Sequence, residues 1–599
     1  MSTQLSLPPR VRKLLQRGLE HHRAGRSDQA EACYRRSLKA DSRCAPALHL
    51  LGLLAQQAGQ YQEAVRWIGQ ALALNPDDPH TLNSLAESCL GLGETKQAVH
   101  HYRRLAELRP QSALVHTNLG KTLEGLGDAQ AAADSYRRAL ALQPGSPEAH
   151  CQLAEVLRQL DALPEALRLC ENALALDPGR FETHNELALV LTDMKNRAGA
   201  AEALQRSVEL KPDSASTAIA LGYFFVKSGN LRAAAESYRR AAKLDPQNYV
   251  AHFRLGATLI LLGDRTQAWK CHERAHSLNP RCAEVISSMG LLHLLEGDFV
   301  RGWKEYEHRA SARRARCRYS QPQWKGEPLN GARIFLHAEQ GMGDTLQAIR
   351  YVPRVAARGG KVVLGVQTRL HRLLDGSEGA WQVIRDGDTP PDFTWHCPLL
   401  SLPFAFATDL KTIPAKIPYV HPDPALAEIW RGRLPGDSLR IGLAWAGNAK
   451  HPHEFWRSIP LEQLAPLTFL DGTTFYSLQM GPPAGQVKQL GSRAWIIDLQ
   501  DEQKDFADTA AIVAHLDLVI SIDTSVAHLA GAMAKPVWIL LDQSHDWRWM
   551  LEREDSPWYP TARLFRQSTL GDWRDVVARV ERELRELIGR TAARRAPHN

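Results

Sequence analysis

The amino-acid sequence predicts a helical solenoid followed by an α/β region with parallel sheets. A 34-residue pattern repeats nine times without an insertion from Val11 to about residue 310. After Gly331, short β-rich runs alternate with helical runs, which is the order of βαβ units. The length of 599 residues also exceeds what one hydrophobic core supports, so the sequence predicts several folded units.

Composition and charge are typical of a soluble globular protein. Hydrophobic residues make up 44% and charged residues 23% of the sequence, and the net charge of +7 is spread over 73 basic and 66 acidic side chains. That bias is weaker than the basic density of a nucleic-acid-binding protein. The nine cysteines contain no CxxC pair, the N-terminal segment lacks the apolar core of a signal peptide, and no apolar run is long enough to cross a membrane. These features predict a cytoplasmic protein with reduced cysteines.

Four positions of the repeat define a pair of helices. Positions 8 and 20 hold glycine or alanine in every unit, so two helices can approach closely. Position 24 is often tyrosine, and we expect this ring to fill the space between units. Position 32 is proline from the second unit to the eighth, which ends the second helix because proline has no amide hydrogen to donate. The residues are Gly18, Gly52, Ala86, Gly120, Ala154, Ala188, Gly222, Gly256 and Gly290 at position 8; Ala30, Ala64, Ala98, Ala132, Ala166, Ala200, Ala234, Ala268 and Gly302 at position 20; Tyr34, Tyr102, Tyr136, Tyr238 and Tyr306 at position 24; and Pro76, Pro110, Pro144, Pro178, Pro212, Pro246 and Pro280 at position 32.

This pattern resembles the tetratricopeptide repeat, and we expect residues 1–310 to form a solenoid of nine such units. The resemblance implies a groove that binds a protein or peptide partner. A spacer or an oligomerisation arm is the alternative. The next segment holds six arginines from Arg309 to Arg333. Such a segment can bind nucleic acid or a membrane surface, but we favour a solvated end of the last helix followed by an extended basic linker over residues 311–330.

The α/β region is predicted to form two lobes. The first series of strands and helices covers residues 331–433, and the second covers residues 434–599 after a proline-rich stretch that ends at Pro435. Strands that alternate with helices form parallel sheets, and ligands bind such sheets beyond the carboxyl ends of the strands. We therefore expect a cleft between the lobes, lined by the turns that follow strands. The predicted strands are RIFLHA, KVVLGV, LRIGLAWAG, TTFYSLQ, DLVISI and PVWILL.

Two motifs with glycine follow predicted strands. In HAEQGMGDTLQAIRYVP, Gly341 and Gly343 make a tight turn and Asp344 opens a helix, where its carboxylate can also cap the helix. In WAGNAKHPHEFWRSIPLEQL, Gly447 and Asn448 can bring backbone amides to a phosphate. Arg457 follows in the same motif, and its guanidinium can bind the same phosphate. The alternative is that Arg457 only forms an ion pair at the sheet edge.

A third motif, DLVISIDTSVAHLAGAMAKPVWIL, predicts a seat for a diphosphate. A buried strand runs into Asp523, Thr524 and Ser525, and a helix with small residues begins there. Free amides and the helix dipole at such a start favour an anion. One turn further, His528 can reach the same phosphates as a donor.

Together the motifs resemble those of the family 9 glycosyltransferases of the heptosyltransferase type, which have the GT-B fold of two Rossmann-like lobes. They also resemble bacterial proteins that join such a module to tetratricopeptide repeats. The resemblance implies that Asp344 is the general base, which takes the proton of the acceptor hydroxyl as its oxygen attacks the anomeric carbon. It also implies that residues 331–433 bind the acceptor and residues 434–599 bind the nucleotide sugar, with Arg457 in place of a lysine that meets the diphosphate.

One feature departs from that family. Its members place a glutamate near the ribose, in the loop after the fourth strand, whereas the loop LQMGPPAGQVKQL has no carboxylate. Gln479 is the residue that could replace it. The sequence also has no DxD motif and no His/Cys cluster with metal-ligand spacing, so we expect neither a metal nor a cofactor. The sequence thus predicts an inverting, metal-independent glycosyltransferase that uses a nucleoside diphosphate sugar. Alternatives are a non-catalytic interaction scaffold with a degenerate nucleotide-binding module and a nucleotide-responsive regulator.

Overall fold

The computed structural model describes residues 7–309, 319–435, 438–448 and 454–595. Contacts divide the chain into two compact units, one of Met1–Ser228 with Lys243–Asp245 and one of Gly229–Ala242 with Pro246–Asn599. The helical pairs end near residue 309, where the sequence places the change of fold. The division by contacts instead lies in the seventh repeat, because the last two repeats pack against the α/β region. Most of the arginine-rich segment, residues 310–318, lies outside the described residues.

Residues 7–309 form helices in nine consecutive pairs, one pair for each predicted repeat. The helices are α1 (Pro9–Arg23), α2 (Ser27–Ala40), α3 (Ala45–Gln57), α4 (Tyr61–Leu74), α5 (Pro79–Gly91), α6 (Thr95–Leu108), α7 (Ala113–Gly125), α8 (Ala129–Leu142), α9 (Pro147–Gln159), α10 (Leu163–Leu176), α11 (Phe181–Asp193), α12 (Arg197–Leu210), α13 (Ala215–Lys227), α14 (Leu231–Leu244), α15 (Tyr249–Leu261), α16 (Arg265–Leu278), α17 (Ala283–Glu296) and α18 (Phe299–Tyr306).

Small residues bring the two helices of each pair together. The alanines at position 20 of the first eight repeats are fully buried. A methyl group built on Gly18 would lie 2.4 Å from the ring of Tyr34, and one built on Gly120 would lie 2.7 Å from the ring of Tyr136. In these two repeats the ring at position 24 therefore packs within its own pair, on the glycine at position 8, whereas we expected it between units.

The α/β region contains two sheets of parallel strands. The strands are β1 (Arg333–His337), β2 (Lys361–Val366), β3 (Ala380–Arg385), β4 (Trp395–Pro398), β5 (Leu439–Ala444), β6 (Thr473–Ser477), β7 (Ile496–Asp498), β8 (Leu518–Ile522), β9 (Val537–Leu541) and β10 (Ala562–Arg566). The first sheet has the order β3-β2-β1-β4, and the second has the order β10-β9-β8-β5-β6-β7. Two lobes with parallel sheets are therefore present, and the second has the strand order of dinucleotide-binding folds.

Short helices connect the strands, and a long one ends the chain. They are α19 (Met342–Ala348), α20 (Val352–Ala356), α21 (Thr368–Leu374), α22 (Leu402–Ala405), α23 (Pro424–Arg431), α24 (Glu454–Arg457), α25 (Leu461–Leu464), α26 (Gly485–Leu490), α27 (Phe506–Val513), α28 (Ser525–Ala532) and α29 (Arg574–Arg595). The six strands predicted from hydrophobic runs are present. The structure adds β3, β4, β7 and β10, each at the edge of a sheet.

The structure also shows the state of the cysteine thiols and whether any described helix could cross a membrane. The eight cysteines in the described part of the chain have free thiols, and Cys317 lies outside it. Across the same residues, none of the helices has the length and apolar character needed to cross a bilayer.

Candidate functional site

The site lies at the carboxyl ends of β5 and β8, which are neighbours in the second sheet. From β5 the chain continues to β6 and β7 on one side, and from β8 to β9 and β10 on the other. Loops that leave two such strands diverge, which opens the crevice where open α/β sheets bind ligands. Gly447 follows β5 and Asp523 follows β8, so the fold brings together two motifs that are far apart in the sequence.

Gly447 and Arg457 converge on the carboxylate of Glu454. The Gly447 N–H donates to Glu454 Oε1 at 2.5 Å, and the Ser458 hydroxyl donates to the same oxygen. Arg457 Nε lies 3.4 Å from Glu454 Oε2, while its Nη2 donates to the backbone oxygen of Asp523 at 2.5 Å. A methyl group on Gly447 would lie 2.7 Å from Glu454 Oε2 and 2.8 Å from Arg457 Nη2, so a larger residue here would shift these two side chains. Arg457 thus joins the loops after β5 and β8.

Gln479, predicted to replace a ribose-binding glutamate, braces the loop after β5. Its Oε1 accepts from the N–H groups of Trp445 and Ala446 at 3.0 and 2.9 Å. Its Nε2 donates to the carbonyls of Ala446 and Met480 at 3.0 and 3.2 Å. Both ends of this buried amide are engaged inside the protein, so the structure gives Gln479 a bracing role. Asn448 is exposed and is the last described residue before the gap at 449–453.

The third motif forms the turn between β8 and α28. Thr524 is the N-cap residue of α28, but its side chain makes no capping hydrogen bond. Its hydroxyl instead lies 3.0 Å from that of Ser521. The helix begins at Ser525, and its first amides lack a cap from the N-cap side chain, which suits the binding of an anion.

His528 is buried where the two lobes meet. Its Nδ1 lies 2.9 Å from the hydroxyl of Tyr559, and its ring stacks on Trp549 with centroids 5.3 Å apart. Its Nε2 lies 3.7 Å from Asp523 Oδ1. Burial lowers the pKa of His528 to about 3, so the imidazole is neutral at pH 7. A methyl group on Gly343 of the first lobe would lie 2.6 Å from His528 Cδ2, so the lobes touch here.

Asp344 is the third residue of α19, which begins at Met342 after the N-cap residue Gly341, so the helix opens two residues earlier than predicted and Asp344 is not its N-cap. The carboxylate of Asp344 has two partners. Its Oδ2 accepts from the N–H of Gly341 at 2.7 Å, which is the reciprocal half of a capping box. Its Oδ1 lies 2.5 Å from Arg548 Nη2 of the second lobe. Burial raises the pKa of Asp344, and the guanidinium of Arg548 opposes that rise. The carboxylate of Asp344 therefore caps α19 and also contacts the second lobe.

Arg548 is a site residue that the sequence did not reveal. It lies in the turn after β9 and is buried, with 6% of its side chain exposed. Besides Asp344, it pairs with Asp546 at 2.7 Å, and its guanidinium lies 4.4 Å from the ring centroid of Trp547. The sequence signal is limited to an arginine between two tryptophans in DWRWM.

The tryptophans around Arg548 are buried against the last repeat and not against the terminal helix. Trp547 lies 5.0 Å from Trp303 of α18, and Trp558 lies 6.3 Å from Phe299 of the same helix, measured between ring centroids. The buried residues of α29 belong instead to the core around the second sheet. The cluster therefore packs the last repeat against the α/β region.

The last repeat also holds the turn that leads to Asp344. Arg309 Nη2 lies 2.6 Å from Glu339 Oε1 and donates to the Ser401 hydroxyl at 2.8 Å. Gln340 Nε2 donates to the Tyr306 hydroxyl at 3.1 Å. Arg309 is only 3% exposed, so the first arginine of the basic segment is a buried structural residue rather than a solvated one.

The arrangement can bind an anion and accept a proton. The guanidinium of Arg457 and the amides at the start of α28 are the groups for the anion, and the carboxylate of Asp344 is the group for the proton. Within the described ranges, no group of three or more His, Cys, Asp or Glu side chains is arranged to hold a metal ion.

Known family models match parts of the repeat region, and one curated protein is similar to part of the chain. Models described as "Tetratricopeptide repeat" and "TPR repeat" match residues 83–147 and 222–263, and the model for "Anaphase-promoting complex, cyclosome, subunit 3" matches residues 24–105. Protein FlbA of Caulobacter vibrioides is 26% identical over 292 residues, which cover 44% of this chain and 48% of FlbA. The chain therefore spans about half the length of that relative.

Solved structures of repeat proteins match as well. A tetratricopeptide repeat protein from Parabacteroides merdae is 18% identical, with 42% of this chain and 100% of that chain covered and a TM-score of 0.37. PilF of Pseudomonas aeruginosa is 24% identical, with 34% and 92% covered and a TM-score of 0.26. The repeat models and the nine helix pairs agree on the same assignment: the N-terminal half of the chain is a solenoid of tetratricopeptide repeats, which indicates a protein-interaction role.

Proposed function

We propose that the chain is a cytoplasmic glycosyltransferase that moves a sugar from a nucleoside diphosphate donor, with inversion and without a metal ion. Its repeats would bind a protein or a glycan-assembly partner. The supporting observation is that motifs distant in sequence meet at one crevice. Arg457 contacts Asp523 across the carboxyl ends of β5 and β8, and Asp344 reaches the second lobe through Arg548.

The chemistry assigns a separate task to each group. Arg457 and the first amides of α28 stabilise the negative charge that develops on the leaving diphosphate. Asp344 takes the proton of the acceptor hydroxyl, and its raised pKa makes it a stronger base than an ordinary carboxylate. Arg548 orients that carboxylate by holding Oδ1, and each carboxylate oxygen keeps a further lone pair that can receive the proton.

A second candidate is a non-catalytic interaction scaffold whose α/β module binds nucleotide weakly or not at all. Two observations favour it. Gln479 is engaged inside the protein, and the loop that contains it has no carboxylate for a ribose. The repeats alone would then carry the function.

Nucleotide binding and turnover separate the two candidates. We expect the protein to bind at least one nucleoside diphosphate in isothermal titration calorimetry. Arg457→Ala should weaken that binding by about 1–3 kcal/mol, because a charge-assisted hydrogen bond is lost. Arg493→Ala is the matched control, because this arginine of the same lobe is exposed and lies away from the crevice. Equal affinity in Arg457→Ala and the parent would exclude this crevice as the donor site.

A substitution of Asp344 tests whether the α/β module is catalytic. Asp344→Asn keeps the size and an acceptor for the Gly341 N–H but loses the base, so turnover should fall by about 10²–10⁴-fold. Transfer to an acceptor or slow hydrolysis of the donor provides the assay. A variant as fast as the parent would reduce Asp344 to a helix cap. A parent that binds donors but turns none over would favour the scaffold.

A further inference from the structure

The carboxylate of Glu454 lies against the Arg457 guanidinium, which the proposed function assigns to the donor diphosphate. We call the Gly447 N–H, the Ser458 hydroxyl and the Arg457 guanidinium the anion seat. The first two donate to Glu454 Oε1, and the third lies at ion-pair distance from Oε2. Three donor groups from two parts of the loop thus converge on one carboxylate of the chain itself.

The anion seat is not fully satisfied by that carboxylate. Arg457 Nε and Glu454 Oε2 are both buried, and neither has a hydrogen-bond partner among the described residues. Their separation of 3.4 Å is that of an ion pair without a good hydrogen bond. A guanidinium N–H that lacks an acceptor in such a place is the group that a phosphate oxygen would satisfy.

A phosphate and Glu454 cannot occupy the anion seat together. Both are anions, and like charges a few ångströms apart in a partly buried site repel each other strongly. The Gly447 N–H has one hydrogen to donate, and Glu454 Oε1 already accepts it. Glu454 is the first residue of the four-residue helix α24, and its side chain is 17% exposed.

We propose that Glu454 is an affinity-determining residue that competes with the donor phosphates for the anion seat. Without a ligand, its carboxylate keeps Gly447 and Arg457 in their binding positions. A donor phosphate must displace this carboxylate, so the affinity for the phosphate is lower than it would be at an anion seat without Glu454. Anions that carry less charge than the phosphate do not displace Glu454 and are excluded. This inference rests on the proposed function, which supplies the phosphate ligand.

Removal of the charge at residue 454 tests the competition. Glu454→Gln keeps the size and a carbonyl acceptor but loses the negative charge. The ligands are the nucleoside diphosphates of adenine, guanine, uracil and cytosine, and inorganic pyrophosphate. For each ligand that binds the parent, we expect the Kd to fall by roughly 3- to 10-fold in Glu454→Gln. Glu454→Asp, which withdraws the carboxylate by one methylene, should tighten binding to a smaller extent. Glu462→Gln, at an exposed glutamate of the same lobe, should leave the Kd unchanged.

The outcomes distinguish this inference from the proposed function. In one outcome, Arg457→Ala weakens nucleoside diphosphate binding, while Glu454→Gln and Glu454→Asp bind with the same affinity as the parent or a lower one. Glu454 then only positions Arg457, and the competition is disproved. If pyrophosphate binds Glu454→Gln more tightly than the parent and no nucleoside diphosphate binds either protein, the competition holds and the transferase proposal fails. If none of these anions binds any of the proteins, both proposals are wrong.

Discussion

The charge state of the buried histidines is set by their surroundings rather than by solvent. Burial lowers the pKa of His528 to about 3 and that of His545 to about 4. For His528, the guanidinium of Arg548 adds to the effect of burial. Both rings are therefore neutral in the folded protein over a pH range in which an unfolded chain would protonate them.

This difference predicts a loss of stability in mild acid. Above about pH 6.5 a histidine is neutral in both states, but as the pH falls from there towards 3, only the unfolded state takes up the proton. Each such histidine should then lower the free energy of unfolding by about 1.4 kcal/mol per pH unit. His528→Gln should remove this component, so its stability should fall less than that of the parent between pH 6.5 and pH 5.

Urea unfolding at several pH values measures the effect. His421→Gln is the control, because His421 is exposed, and its stability should follow the pH dependence of the parent. Identical pH dependence in His528→Gln and the parent would contradict the burial argument. His545 contributes equally to all three proteins and cancels in the comparison.

Residues that follow strands could be predicted, whereas residues that pair across the fold could not. Gly447 and Asp523 stand directly after buried hydrophobic runs, and such runs show where strands end. Glu454 and Arg548 are charged residues without a periodic context in the sequence. Their importance comes from partners that only the folded chain brings near, such as Asp344 for Arg548.

At the level of elements, hydrophobic runs revealed the inner strands and missed the edges. A strand that has neighbours on both sides and a helix on each face is buried along its whole length, so its sequence is a continuous apolar run. The strands β8 and β9 are fully buried in this way. Edge strands are partly exposed and mix polar with apolar residues. β3 and β7 show this clearly, because few of their residues are buried. The sequence alone therefore gives the number of lobes better than the number of strands.

The contact between α19 and α28 yields a second prediction. Gly343 lies in α19 at a point where a methyl group would be 2.6 Å from the ring of His528, and that ring is held by Tyr559 and Trp549. Gly343→Ala should therefore destabilise the protein by about 1–3 kcal/mol, the usual cost of overpacking a core.

Gly341→Ala is the matched control for that substitution. Gly341 has φ of −69° and ψ of 165°, which alanine adopts readily, and the atom nearest to its added methyl group is Asp344 Oδ2 at 3.2 Å. Thermal melting of both variants tests whether the glycine at 343 serves close packing or only the turn. Equal melting temperatures would show that the His528 ring moves aside at little cost.

At the scale of the molecule, the last two repeats belong with the α/β region. A methyl group on Gly263 would lie 2.8 Å from Gln543 Nε2, and the Trp303 N–H donates to the carbonyl of Thr408 at 2.8 Å. The sequence does not show this, because the 34-residue frame continues unchanged through the eighth and ninth repeats. A repeat pattern reports contacts between neighbouring units and carries no information about contacts with a following domain.

These contacts predict where the chain can be cut. A fragment of residues 229–599 should unfold cooperatively, because it retains the packing of α17 and α18 on the tryptophan cluster. A fragment of residues 319–599 loses Phe299, Trp303 and Arg309, so it should melt at a lower temperature or aggregate. Circular dichroism and calorimetry of the two fragments provide the comparison. Equal melting temperatures would place the functional boundary at residue 310, as the change of fold suggests.

The attachment of the final repeats also bears on how such proteins can be re-engineered. Repeats ahead of residue 229 belong to a compact unit of their own, and each is 34 residues long. We expect that whole repeats can be added, removed or exchanged there without loss of the packing around the crevice. The eighth and ninth repeats are instead a fixed adaptor, since Tyr306 and Arg309 support the loop that carries Asp344. A chimaera that changes the partner should therefore join the two parents before this adaptor and not after it.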